Sequence, residues 1–382
     1  MNAVSVERDL PTEEARELVS LVGEVGRNEL EPIAAEHERN GVFPRGAFTM
    51  LGRVGVLGLP YPAELGGAAQ PFTVYLQVLE ELAASWLTVA LGVSVHTLSC
   101  HPLANFGTPD QQRKWLPEMT GGGLLGAYCL SEAHSGSDAA ALSTSAHRTG
   151  DTYEISGTKA WITHGGEADF YTVMARTSGH GSRGISCFLV PADSAGLSFG
   201  APERKMGMRG STTAQVILDG VVVGADRRIS DEGAGFRIAM AALDAGRLGI
   251  SACAVGVAQA ALNHASSYAK ERQQFGRPIA DFQGISFMLA DMATQIEAAR
   301  ALYLSVAKRK DEGKPFSVQA AMSKMFSTDM CMQVTTDAVQ ILGGAGYVED
   351  FPLERYMREA KVLQIVEGTN QIQRHLIGKS LS

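Results

Sequence analysis

Apolar residues recur at helical spacing near both ends of the chain and at strand spacing between them. Near the start, Leu18, Leu21, Val22 and Val25 share one helical face. Thr12 is placed to cap that helix, and Glu13 and Glu14 put negative charge in its first turn, where the helix dipole favours it. The helical period persists to about Gly121, with breaks at "NGVFP", "LPYPAELGG" and "FGTPDQ" and a stop at "TGGG". From about 122 to 230 the segments become short and β-branched or aromatic: "YEISGTKAWIT", "FYTVMAR", "GISCFLVP" and "AQVILDGVVVG". Asp219-Gly220 in the last segment reads as a hairpin turn. After Gly235 the helical period returns, and Ile285, Leu289, Met292, Ile296, Ala299, Tyr303 and Val306 form the seam of a long bundle helix. The expectation is an α+β chain: an N-terminal helical domain over 1–121, an antiparallel β-domain over 122–230, and a C-terminal four-helix-bundle domain over 231–382.

Charge and cysteine content narrow the function classes. A formal net charge of -8 with no basic stripe argues against a nucleic-acid partner. Five scattered cysteines, never spaced as CxxC, point to a reducing, cytoplasmic compartment and to no metal site. The start has no apolar core of a leader peptide, and "LTVALGVSVHTLSC" reads as too short and interrupted to span a bilayer, so no membrane role is expected.

Five stretches carry candidate chemistry. "YCLSEAHSGSD" (128–138) collects hydroxyls and small residues whose backbone can approach a flat polar ligand; it also reads as an ordinary turn-rich loop. "WIT" sets Trp161 and Thr163 on one strand face, either to cover and bond a ring or simply to fill a core. "ERQQFGRP" brings Arg272 and Arg277 together as a pyrophosphate site or a solvated cluster. "QILGGAGY" ends a helix on Gly343 and Gly344, as a cap or as backbone left bare for a ligand. In "LQIVEGTNQIQRHLIG", Glu367 is the one carboxylate in an apolar run, so it either faces water beside a Gly368 helix cap or is buried and put to use. No GxGxxG follows a strand, which argues against a Rossmann route to a dinucleotide.

Taken in this order on an α-β-α chain, the five stretches strongly resemble the acyl-CoA dehydrogenase family over essentially the full length, most of all its short-chain and branched-chain bacterial members. The resemblance implies FAD as cofactor, an acyl-CoA substrate, α,β-dehydrogenation, and electron transfer to an electron-transfer flavoprotein. It implies that Glu367 removes the α-proton while the β-hydride goes to flavin N5. The backbone N–H of Glu367 would help to hold the thioester carbonyl. Flavin contacts are implied for Tyr128, Leu130, Ser131, Trp161, Ile162, Thr163, Thr369, Asn370 and Gln371. Arg272 and Gln283 correspond to contacts with the ADP half, joined by Gln340, Gly343 and Gly344 from a neighbouring subunit of a homotetramer arranged as a dimer of dimers, and Gln274 and Phe275 to further FAD contacts. Ser137, Asp244, Arg247 and Gly368 correspond to substrate contacts.

The chain departs from the family pattern in places. Some members carry the base at the position of Gly246, which cannot serve, so Glu367 has no rival. Ala133 stands where proline is usual, and Val366 replaces a frequent aromatic, a change that bears on the acyl pocket. Flavin-dependent hydroxylases lack the "EGT" carboxylate. Acyl-CoA oxidases usually carry a further C-terminal domain, and a non-catalytic homologue would not need an intact base.

Overall fold

The computed structural model describes residues 6–179 and 181–382. Six helices come first: α1 Glu13–Val25, α2 Glu31–Asn40, α3 Arg45–Arg53, α4 Phe72–Ser85, α5 Leu87–Phe106 and α6 Pro109–Thr120. Thr12 caps α1 by accepting from the Ala15 N–H at 3.2 Å. On α1, Val19 and Val22 are buried, whereas Leu21 is 47% exposed, so the inward face is rotated from the one the spacing implied. The capping box at Thr108 and Gln111 starts α6 with Pro109 in its first turn.

The middle of the chain forms an eight-stranded sheet: β1 Gly126–Cys129, β2 Ser145–Thr149, β3 Thr152–Thr163, β4 Phe170–Arg176, β5 Ile185–Pro191, β6 Leu197–Phe199, β7 Thr213–Gly224 and β8 Arg228–Ile229. The order is β6-β7-β3-β2-β4-β5-β8, with β1 added on β4. Two expectations are corrected here. The sheet is mixed, because β1 and β2 both run parallel to β4. Asp219-Gly220 does not turn a hairpin either: β7 is one continuous strand on β3, and the pair forms a bulge opposite Ser156. Gly220, at φ 66°, takes the left-handed conformation, and its N–H bonds Ser156 Oγ at 3.2 Å. A left-handed glycine serves a bulge as readily as a two-residue turn, so composition does not separate them.

The C-terminal helices are α7 Gly235–Glu271, α8 Gln283–Asp311, α9 Ser317–Leu342, the short α10 Gly344–Tyr347, α11 Leu353–Leu363 and α12 Asn370–Leu381. A two-stranded hairpin, β9 Gln273–Gln274 with β10 Arg277–Pro278, projects between α7 and α8. The α8 seam follows its spacing: Met292, Ile296, Ala299, Tyr303 and Val306 are buried, with Ile285 and Leu289 packed at the edge. α7 packs against α4, α5, α8 and α9, so the N- and C-terminal helices share one core. A second core joins α5, α6 and the start of α7 to one side of the sheet.

The apolar run taken as too short to span a bilayer is a 20-residue helix, α5, and by length and composition both α5 and α7 pass that test. Both are central core helices, mostly buried by protein. A helix apolar on every side is what a shared core requires.

Candidate active site

All three parts of the chain meet at one cavity of about 530 Å³. α5 contributes Leu91, Val95 and Leu98; the sheet side contributes Tyr128, Leu130, Ser131 and the end of β3; α7 contributes Met240 and Arg247. The turn between α11 and α12 closes it with residues 365–369.

That turn answers the question raised by "VEGTN". α11 stops at Leu363, and α12 begins after Thr369, whose Oγ accepts from the Ile372 N–H at 3.3 Å. Between them Glu367 has φ 54° and Gly368 has φ 92°. A left-handed conformation is uncommon for a residue other than glycine and is held only where the surroundings enforce it. Here it turns the Glu367 side chain inward, which overturns the solvent-facing alternative. Both carboxylate oxygens are buried and have no hydrogen-bond partner. Burial pushes the Glu367 carboxyl up to about 7, against the opposing pull of Arg247 and Lys324.

Two residues that the sequence reading passed over hold the turn. Lys324, fully buried on α9, donates to the Gly368 carbonyl at 3.0 Å and to Asn370 Oδ1 at 2.8 Å. Gln373 donates to the same carbonyl at 2.8 Å. Burial draws the Lys324 ammonium down to about 7, with Glu367 opposing. Gln373 lies within the 363–378 stretch already singled out, but Lys324 carried no local signal: it sits in a helical stretch where a lysine normally reads as surface, and only the α9–α12 packing places it here.

Among the expected ring contacts, Tyr128, Leu130, Ser131, Trp161, Ile162, Thr163 and Thr369 line the cavity, as do the substrate candidates Ser137, Arg247 and Gly368. The buried Tyr128 hydroxyl has no partner, and Trp161 keeps 55% of its surface exposed. Trp161 sits at a second β3 bulge, where the register with β7 skips between Lys159 and Ile162, and its φ is 56°. It therefore does not simply alternate with Thr163 on a flat strand. The loop that follows β1 is anchored to β3 by a buried ion pair, Lys159 to Glu132 at 2.8 Å. Glu132 also accepts from the Ser143 and Thr144 N–H groups. A flat ring with polar edges fits what these residues offer: an exposed indole, an unpartnered phenol and several hydroxyls at one cavity.

Other candidates lie elsewhere. Asn370 is turned away, donating to Thr328 Oγ1 and Asp329 Oδ1, and Gln371 is exposed. Asp244 does not line the cavity; it binds Arg247 Nη1 at 2.6 Å and accepts from the Ser317 hydroxyl. Arg272, Gln274, Phe275, Gln283, Gln340, Gly343 and Gly344 are all exposed and outside the cavity. Phe275, at the tip of the β9–β10 hairpin, is 94% exposed.

Family models match the chain in three consecutive pieces: the acyl-CoA dehydrogenase N-terminal domain over 12–123, middle domain over 127–221 and C-terminal domain over 233–382. An acyl-CoA dehydrogenase of Bacillus subtilis is 43% identical over 372 residues, covering 97% of this chain and 98% of that protein. The structure of butyryl-CoA dehydrogenase from Megasphaera elsdenii superposes with a TM-score of 0.96 at 40% identity, covering 98% of this chain and 100% of that one. A chain from work on the electron transferring flavoprotein of Acidaminococcus fermentans, concerned with flavin-based electron bifurcation, has a TM-score of 0.96 at 42% identity, with 98% and 99% covered. The chain thus belongs to the acyl-CoA dehydrogenase family and is an FAD-dependent oxidoreductase.

Proposed function

We propose that the chain dehydrogenates a short-chain acyl-CoA thioester to the trans-2-enoyl thioester, with Glu367 as the base. The observation that carries this reading is the Glu367 carboxylate: buried, without a partner, and set in the wall of the cavity. A carboxyl held near 7 is poised both to take a proton at working pH and to release it afterwards. Its own backbone N–H donates to no backbone acceptor among the described residues, which leaves it for a thioester carbonyl as enolate charge develops. When bound, FAD supplies N5 as acceptor of the β-hydride. Tyr128, Ser131, Trp161 and Thr163 are the residues that would hold its ring, and Leu91, Val95 and Leu98 keep water from the reacting carbons.

The reading extends to assembly and electron transfer. The exposed set Arg272, Gln274, Phe275, Gln283, Gln340, Gly343 and Gly344 is where an ADP half shared with a second subunit would lie. Exposed Phe275, Phe287 and Tyr347 nearby in sequence favour a homotetramer built as a dimer of dimers. Likeness to the Acidaminococcus chain supports an electron-transfer flavoprotein as acceptor. All five cysteines are free and buried, in keeping with a cytoplasmic setting.

The test is anaerobic bleaching of the flavin by a panel of straight and branched acyl-CoAs. Fast bleaching by short chains, with turnover on a dye or electron-transfer flavoprotein far above peroxide formation in air, is the expected result. Peroxide formed at a comparable rate would place the protein among oxidases.

A further inference from the structure

A second cavity, of about 240 Å³, adjoins the first. Gly246 lines it, and a Cβ built on Gly246 would stand 2.0 Å from Glu367 Oε2. Leu98 lines both cavities. For an acyl chain whose α-carbon meets the carboxylate, this is the adjoining space for the distal end.

Its lining is mixed: Pro60, Phe72, Leu98, Ala242 and Ala245 stand beside polar residues. Ser94, Thr97 and His101 follow one another at steps of three and four on α5, which places them on one face of that helix. The Tyr75 hydroxyl lies beside Ser94 and Thr97, yet Thr97 Oγ1, in a residue only 7% exposed, makes no hydrogen bond of acceptable geometry. At the outer end Asn105 donates to His101 Nδ1 at 3.3 Å, which leaves the ring proton on Nε2. Burial, aided by nearby Lys310, holds His101 neutral by drawing it down to about 4. Lys310 is partly buried and its neighbour Asp311 is already spent on the Phe72 and Thr73 N–H groups, at 2.7 and 3.0 Å. No aspartate or glutamate lines the cavity.

The geometry points to an acyl chain that ends in a carboxylate, reaching past Glu367 into the Thr97–His101–Lys310 cavity. This rests on the acyl-CoA dehydrogenase reading and narrows its substrate to the CoA monothioester of a short dicarboxylic acid. A carboxylate there meets donors and one ammonium without a competing acid, whereas an alkyl end leaves the Thr97 hydroxyl facing hydrocarbon and the Lys310 ammonium to the faces of Phe72, at 4.4 Å, and Phe316. The reacting bonds are unchanged: the α-proton goes to Glu367, the β-hydride to the flavin, and the distal carboxylate only binds.

The experiment compares adipyl-CoA with hexanoyl-CoA, which have equal carbon number, in anaerobic flavin reduction and dye-linked turnover by the holoenzyme. The expected kcat/KM is about tenfold or more in favour of adipyl-CoA, since a site built for a polar group discriminates against the chain that lacks it. Lys310→Met and Thr97→Val should each lower the adipyl-to-hexanoyl ratio. Hexanoyl-CoA reducing the flavin as well as adipyl-CoA would overturn the inference and leave the parent reading standing. A preference for adipyl-CoA that survives both substitutions would overturn the assignment to this cavity. Failure of the entire acyl-CoA panel to bleach the flavin would remove both readings together.

Discussion

Gly246 on α7 and Glu367 in the α11–α12 turn occupy one another's space: a Cβ on residue 246 would lie 2.0 Å from Glu367 Oε2 and 2.8 Å from its Cδ. The carboxylate rests on bare helix backbone, and only glycine at 246 leaves that position open.

Gly246→Ala therefore tests placement separately from chemistry. Alanine is favoured over glycine in a helix by about 1 kcal/mol, so the backbone gains while the carboxylate is displaced. Displacing a reacting group by about 1 Å can cost on the order of 10²-fold. The expected outcome is a kcat loss of that order with FAD retained and α-helical content unchanged, measured by stopped-flow reduction and circular dichroism. Unimpaired reduction would show that the base acts from another position.

Glu367→Gln separates activity from stability. Flavin reduction should fall roughly 10²–10⁴-fold, the usual contribution of a general base. Stability should move the other way. An unfolded glutamate titrates near 4.5 and the folded one near 7, so between those values the folded chain holds more protons. Stability then falls as pH rises through that window, by an amount on the order of 3 kcal/mol. The glutamine variant should melt higher than wild type at pH 8, with the difference vanishing below about pH 5. Thermal melts at the two pH values check it; equal melting temperatures at pH 8 would mean that the carboxylate is not desolvated.

How much of this was readable in advance depends on the range of the interactions. The Thr12 cap, the α8 seam and the Gly343 helix end are local, and each follows from residues within a few positions. Three of the five family-like stretches, around Ser131, Trp161 and Glu367, lead to the cavity, and seven of the nine ring candidates line it. The failures are nonlocal. Asp219-Gly220 carries the same left-handed glycine in a bulge as in a turn, and only pairing with β3 decides between them. The family resemblance implies a flavin contact for Asn370, and nothing local in the sequence shows that α9 holds its amide. Lys324 gave no signal because its burial comes from a helix some forty residues downstream in sequence.

Lys324 should tune the base as well as hold the turn. Its ammonium is among the charges that pull Glu367 downward, so Lys324→Met should move the acid limb of the kcat/KM profile to higher pH, by about half a unit or more. Gln373 still binds the Gly368 carbonyl, which keeps the turn from opening fully. The profile is read with one acyl-CoA from pH 5.5 to 9. A limb that does not move would restrict Lys324 to hydrogen bonding.

The exposed arginine at the end of α7 gives the last test, which couples cofactor to assembly. Arg272 and the Gly343–Gly344 helix end are exposed and outside the cavity, and a Cβ on either glycine would meet nothing within 4 Å. Backbone left so open on a single chain fits a ligand or partner approaching from outside. If the ADP half of FAD bridges two subunits there, it binds only the assembled form and stabilises that form by mass action. Arg272→Ala removes a charge-assisted contact worth about 1.5–3 kcal/mol. Arg272 caps α7 through its backbone N–H bond to the Tyr268 carbonyl, which alanine preserves, so the fold should survive. The expected result is parallel loss of FAD and of the tetramer on dilution, followed by light scattering and the flavin-to-protein absorbance ratio. Added FAD should restore both in step. A fully loaded monomer, in wild type or variant, would show that the flavin site is completed within one chain.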